Sequence, residues 1–85
     1  MTSFTVEWVN DSENQLADIW LRSRKQAAVT AAANRAEQLL ASSPDTAGRQ
    51  VSEGMLRLDV TPLRFYYSID FARRIVEISD VYELK

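Results

Sequence analysis

From Met55 to Tyr82 the chain reads MLRLDVTPLRFYYSIDFARRIVEISDVY, and its character changes side at nearly every residue. In Met55–Val60, Leu56, Leu58 and Val60 alternate with Arg57 and Asp59. Past Thr61-Pro62, Leu63, Phe65, Tyr67 and Ile69 alternate with Arg64, Tyr66 and Ser68. Asp70-Phe71-Ala72-Arg73-Arg74 interrupts the pattern, and Ile75–Val81 resumes it with Val76 and Ile78 set against Glu77 and Ser79. A period of two, in runs rich in aromatic and β-branched residues, marks half-buried strands. The connections are too short for a parallel return, so the three strands are expected to be antiparallel neighbours. One face of this meander is apolar. The other carries Arg57, Arg64, Tyr66, Ser68, Glu77 and Ser79, with Arg73 and Arg74 solvated in the connection.

The apolar face needs a cover, and the N-terminal half is expected to supply it. Ser3–Val9 reads as a first strand with Phe4, Val6 and Trp8 inward, Trp8 as a core anchor. Ser12 with Gln15, and Asn10 with Glu13, fit capping boxes, and Asp11 and Glu13 suit the positive end of a helix dipole. Leu16, Ile19 and Trp20 then recur at helical spacing, which predicts a helix over Ser12–Arg22. A helix continuing to Ala41 would be ~45 Å long, so a turn at Ser23-Arg24-Lys25 is expected over one bent helix. The second helix, Gln26–Ser42, presents Val29, Ala32, Ala33, Ala36, Leu39 and Leu40 as one stripe, with Asn34, Arg35, Glu37 and Gln38 solvated. Ser43–Gly48 is read as the main loop and Arg49–Gly54 as the lead into the meander. The expected fold is α+β, in the order β-α-α-β-β-β. A helical hairpin packs on one face of a small, mainly antiparallel four-stranded sheet, as a single domain over residues 1–85.

Composition excludes several functions. The chain has no cysteine and no histidine, and its acidic residues are scattered, so neither a metal site nor a cofactor is expected. Ten basic against twelve acidic residues give a net charge of −2, which argues against a protein that holds nucleic acid by its phosphates. Met1–Asn10 lacks the apolar core of a secretory signal, and no apolar run approaches the ~20 residues of a membrane span. A cytoplasmic protein is the expectation.

The order of elements, together with three stretches, resembles the RelE/ParE superfamily of toxins from type II toxin–antitoxin (plasmid stabilisation) systems. The stretches are FTVEWVNDSENQLADIWLRS, the alanine-rich AAANRAEQLLASSP, and LRLDVTPLRFYYSIDFARRIVEISDV with its PLR-aromatic entry and Asp-x-x-x-Arg-Ile-Val turn. They cover nearly the whole sequence. The resemblance implies a cognate antitoxin as partner, covering the sheet or adding to it. It also implies one of two targets, DNA gyrase for the ParE-like branch or the ribosome with mRNA for the RelE-like nucleases.

The nucleases use basic residues on the open face of the sheet, and Arg57 and Arg64 match two of those positions. Met55 stands where lysine is frequent, and Leu84, preceded by Glu83, stands near an expected arginine. Glu77, Tyr82 and Lys85 are the remaining candidates for proton transfer, with a cross-strand salt bridge to Arg57 or Arg64 as the structural alternative for Glu77. Tyr66 and Ser68, beside Arg57 and Arg64, are candidate partner contacts. This sequence stops at Lys85, where relatives usually continue. Three readings follow: a gyrase-type inhibitor acting by binding, which the missing cations favour; a ribosome-dependent endoribonuclease built on Arg57, Arg64, Glu77 and Tyr82; and a non-toxic member retaining a partner-binding surface.

Overall fold

A computed structural model describes residues 3–9 and 11–84. Its elements are β1 (Thr5–Trp8), α1 (Ser12–Arg22), α2 (Gln26–Ser42), α3 (Pro44–Ala47), β2 (Arg49–Ser52), β3 (Met55–Val60), β4 (Leu63–Asp70) and β5 (Ile75–Glu83). The fold is α+β, but the sheet has five strands rather than the four expected, in the order β1-β5-β4-β3-β2. Only β1 pairs in parallel, with β5; the other three pairings are antiparallel.

The fifth strand is β2, within the segment expected to be a plain lead-in. All four of its residues are exposed, so it carries no alternation to betray it. Gly54, at φ 75°, makes the tight return from β2 to β3, a conformation that costs glycine little. The expected loop Ser43–Gly48 also holds the single helical turn α3, which starts on proline.

The alanine stripe lies under the sheet as expected. Val29, Ala32, Ala33, Ala36 and Leu40 of α2 are buried against Leu58, Leu63, Phe65, Tyr67, Val76, Ile78 and Val81. Small side chains bring this helix close to the strands. The chain does turn at Ser23-Arg24-Lys25: Ser23 is extended, and its Oγ accepts the Lys25 N–H at 3.0 Å.

Helix α1 packs more loosely, along β5. Its Leu16 and Ile19 are half-buried, and Ser12 is its one buried residue. The capping box at Ser12 does not form. Asp11 is the cap residue without a side-chain bond, and the Ser12 hydroxyl has no partner among the described residues. Gln15 instead reaches β5, where its Oε1 accepts the Val81 N–H at 2.9 Å. Strand β1 pairs only as far as Ile78, so Gln15 caps the edge that β1 leaves open. Asn10, the other expected capping residue, lies outside the described residues. No helix among the described residues is long and apolar enough to cross a membrane.

Candidate functional site

A two-residue connection, Thr61-Pro62, joins β3 to β4 and thereby fixes their register. With Val60 opposite Leu63, Asp59 falls opposite Arg64, and Arg57 opposite Tyr66. The rows continue across the sheet: Arg49 faces Arg57 on one side, while Tyr66 faces Asp80 and Arg64 faces Tyr82 on the other. Directly opposed residues share a face, so by register the side away from α2 collects Arg49, Arg57, Asp59, Arg64, Tyr66, Asp80 and Tyr82.

A register shift at Tyr66/Tyr67 makes this possible. Ser79 is the extra residue, bonded through its Oγ to the Tyr66 carbonyl. The bulge changes the parity of β5, so Val81 turns into the core while Tyr82 joins the open face. Uninterrupted alternation from Val76 and Ile78 would have sent Tyr82 inward.

At the centre of the face, Arg64 grips Asp59 with both arms, Nε to Oδ1 at 2.9 Å and Nη2 to Oδ2 at 3.1 Å. Arg57 Nε stands 3.8 Å from the same Oδ1. Hydrogen bonding from Arg64 holds the Asp59 carboxyl below its ordinary range, and Asp59 in turn raises Arg64. Beside this cluster the rings of Tyr66 and Tyr82 meet edge to face, with centroids 5.8 Å apart.

The structure therefore groups Arg57, Arg64, Tyr66 and Tyr82, and places Ser68 and Glu77 opposite each other further along β4 and β5. Glu77 lies opposite Ser68 on β4 and beside Glu7 on β1, and the expected salt bridge from Glu77 is replaced by the pairing of both arginines with Asp59. Met55 is half-buried at the start of β3, and Leu84 follows β5 with its N–H on the Pro62 carbonyl at 2.7 Å. Lys85 lies outside the described residues. The sequence reading missed Asp59 as the partner of the arginines. The hairpin supplied the signal, because a two-residue turn pairs positions 59 and 64 by counting.

A second surface lies between α1 and α2. An open groove of about 610 Å³ is lined by Trp8, Leu16, Trp20, Leu21, Val29 and Ala33, among others. Leu21 is 71% exposed and Trp20 39%. Both indoles are fixed by hydrogen bonds, Trp8 Nε1 to Glu37 at 2.9 Å and Trp20 Nε1 to Thr30 at 3.1 Å.

Compared by sequence, the chain matches no family model and no curated protein. Compared by structure, it is similar to a chain of the toxin–antitoxin complex RelBE2 from Mycobacterium tuberculosis. The TM-score is 0.80 at 20% identity, over 98% of this chain and 93% of the other. It is also similar to a chain of the chromosomal ParDE system of P. aeruginosa, with TM-score 0.75 at 14% identity over 96% and 97% of the two chains. The isolated E. coli RelE toxin follows, with TM-score 0.64 at 12% identity over 96% and 85%. The order of elements, the five-stranded sheet and these likenesses agree: the chain has the fold of the RelE/ParE toxins.

Proposed function

We propose that this protein is the toxin of a type II toxin–antitoxin module, neutralised by a cognate antitoxin, and that it acts in the cytoplasm by binding a protein target such as DNA gyrase. The observation that carries the choice of mechanism is the Arg57–Asp59–Arg64 cluster. RNA cleavage by 2′-hydroxyl attack needs a base, an acid for the leaving group and positive charge free to meet the phosphate. Here both arginines face a carboxylate of the protein's own, and that carboxylate is made a weaker base by Arg64. Glu77 stands across from Ser68, away from that cluster in the register. A protein target needs none of this chemistry. Arg57, Arg64, Tyr66 and Ser68 then serve as contacts, the rigid tyrosine as an anchor.

The apolar groove between α1 and α2 suits the antitoxin. The RelBE2 neighbour comes from a toxin–antitoxin complex, which motivates an antitoxin as the partner; the groove is assigned to it because an exposed apolar surface of this kind is one that a partner segment covers. A second reading, a ribosome-dependent mRNA endoribonuclease, draws on the adjacency of Arg57, Arg64, Tyr66 and Tyr82 on one face.

Expression from a tight inducible promoter, with labelled thymidine and labelled amino acids followed together, tests the proposal. DNA synthesis is expected to fall before translation, and co-expression of the antitoxin to restore growth. Translation falling first, with the effect lost in Arg64→Ala, would move the assignment to the nuclease. Unimpaired growth with soluble, folded protein would leave a non-toxic member that keeps the fold and its binding surface.

A further inference from the structure

We propose that Asp59 is a specificity determinant that keeps phosphates off the open face of the sheet, by occupying with its own carboxylate the arginine fork that a nucleic-acid backbone would otherwise fill. The inference deepens the reading of this face as a protein-binding surface and rests on it.

A guanidinium fork accepts a carboxylate and a phosphate in the same planar, two-bonded geometry. In Arg64 the Nε–Nη2 edge is already taken, at 2.9 and 3.1 Å. Arg57 leans on the same oxygen, and Arg49 sits across the strand from Arg57. Three arginines thus surround one carboxylate, and the Tyr66–Tyr82 pair lies next to them. Arginines interleaved with exposed aromatic rings are the parts from which single-strand binding surfaces are made. Asp80 and Glu77 also lie opposite residues of this face, across from Tyr66 and Ser68, but among the described residues Asp59 is the carboxylate with which Arg57 and Arg64 pair. The carboxylate is covalently held opposite Arg64 by the register of a two-residue hairpin, so it competes with any incoming phosphate without a cost of association.

Stability does not explain the arrangement. The side chains keep 27–36% of their surface exposed, and ion pairs at that exposure contribute little to folding. Asp59→Asn is nearly isosteric and is expected to fold as the parent does. That leaves binding as the property it changes.

The test is fluorescence anisotropy with a fluorescein-labelled 20-nucleotide single-stranded RNA at 50 and 200 mM salt. It compares the parent, D59N, the triple variant D59N/R57A/R64A, and E53Q, which removes the same unit of charge from an exposed turn. D59N is expected to bind about tenfold more tightly than E53Q or the parent, the effect of one charge-assisted hydrogen bond made available. Its log K should fall more steeply with log salt by about 0.7, the signature of one further phosphate on a single strand. The triple variant should return to parental affinity. Equal affinity of folded D59N and E53Q would overturn the proposal, as would retention of the gain in the triple variant. A D59N gain found alongside translation falling first in cells would support the role of Asp59 while overturning the protein-binding reading.

Discussion

Gly48 is where the packing of this small domain allows least. Its φ of −111° is open to any residue, so a side chain there costs contact, not backbone strain. A Cβ at Gly48 would collide with the Tyr67 hydroxyl and sit 2.6 Å from the Arg57 carbonyl oxygen. Neither neighbour has room to retreat: Tyr67 is fully buried with its hydroxyl donating to the Pro44 carbonyl at 2.7 Å, and the Arg57 carbonyl belongs to β3. Gly48→Ala is therefore expected to destabilise by about 1–3 kcal/mol, the usual cost of overpacking. At this chain length that lowers Tm by roughly 4–24 °C. Tyr67→Phe deletes the hydroxyl and strands the Pro44 carbonyl, also at about 1–3 kcal/mol. The two changes are coupled through one atom. In the double variant the hydroxyl that the new methyl strikes is gone, so the combined loss should fall short of the sum by about 0.5 kcal/mol or more. Urea titrations followed by tryptophan emission measure all four corners of the cycle, since Trp8 packs edge-on against buried Phe65. A neutral Gly48→Ala, or additivity within experimental error, would refute the argument.

Burial raises the Tyr67 hydroxyl above its ordinary 10.0. The folded value thus exceeds the unfolded one, so the contribution is complete below pH about 10 and is lost as pH rises past it; the stability gap between parent and Tyr67→Phe should hold up to about pH 10 and narrow above it in urea titrations. Gln15→Ala uncovers the Val81 N–H at the β5 edge and should cost about 1–3 kcal/mol, with faster amide hydrogen exchange at Val81 as its local mark. Leu40→Ala, in the core, should cost about 2–5 kcal/mol, whereas Leu21→Ala, in the open groove, should stay within about 0.5 kcal/mol. Leu21→Asp should nonetheless weaken the antitoxin complex in a pull-down, and unchanged capture would remove the groove from the interface.

What the sequence revealed depended on whether a face was buried. Helix α2 was legible to the residue because its alanine stripe has one buried side, and β3 and β4 because each has one apolar and one polar face. Strand β2 was not, since an edge strand exposed on both sides has no period to read. The parallel pairing of β1 with β5 joins segments about seventy residues apart and leaves no local trace. The open face was half legible: alternation put Arg57, Arg64 and Tyr66 on it, while the meeting of both arginines on Asp59 needed the register as well as the pattern.

Gln15 shows why local signals alone mislead. Ser12 followed by Gln15 has the form of a capping box, and a capping box would satisfy donors at a helix end that water can also reach. The Val81 N–H competes for the same side chain. Val81 is a core residue with 2% of its surface exposed, placed where β1 has already ended, so its donor has no strand partner on that side. Leaving such a group unmade costs about 1–3 kcal/mol, more than an exposed helix end loses to solvent. The carboxamide therefore goes to β5, with its Nε2 directed to Asp80 at 3.4 Å, and the helix begins without a side-chain cap. The contact is set by where the sheet runs out of strands, which follows from the packed fold and from no pattern within the helix itself.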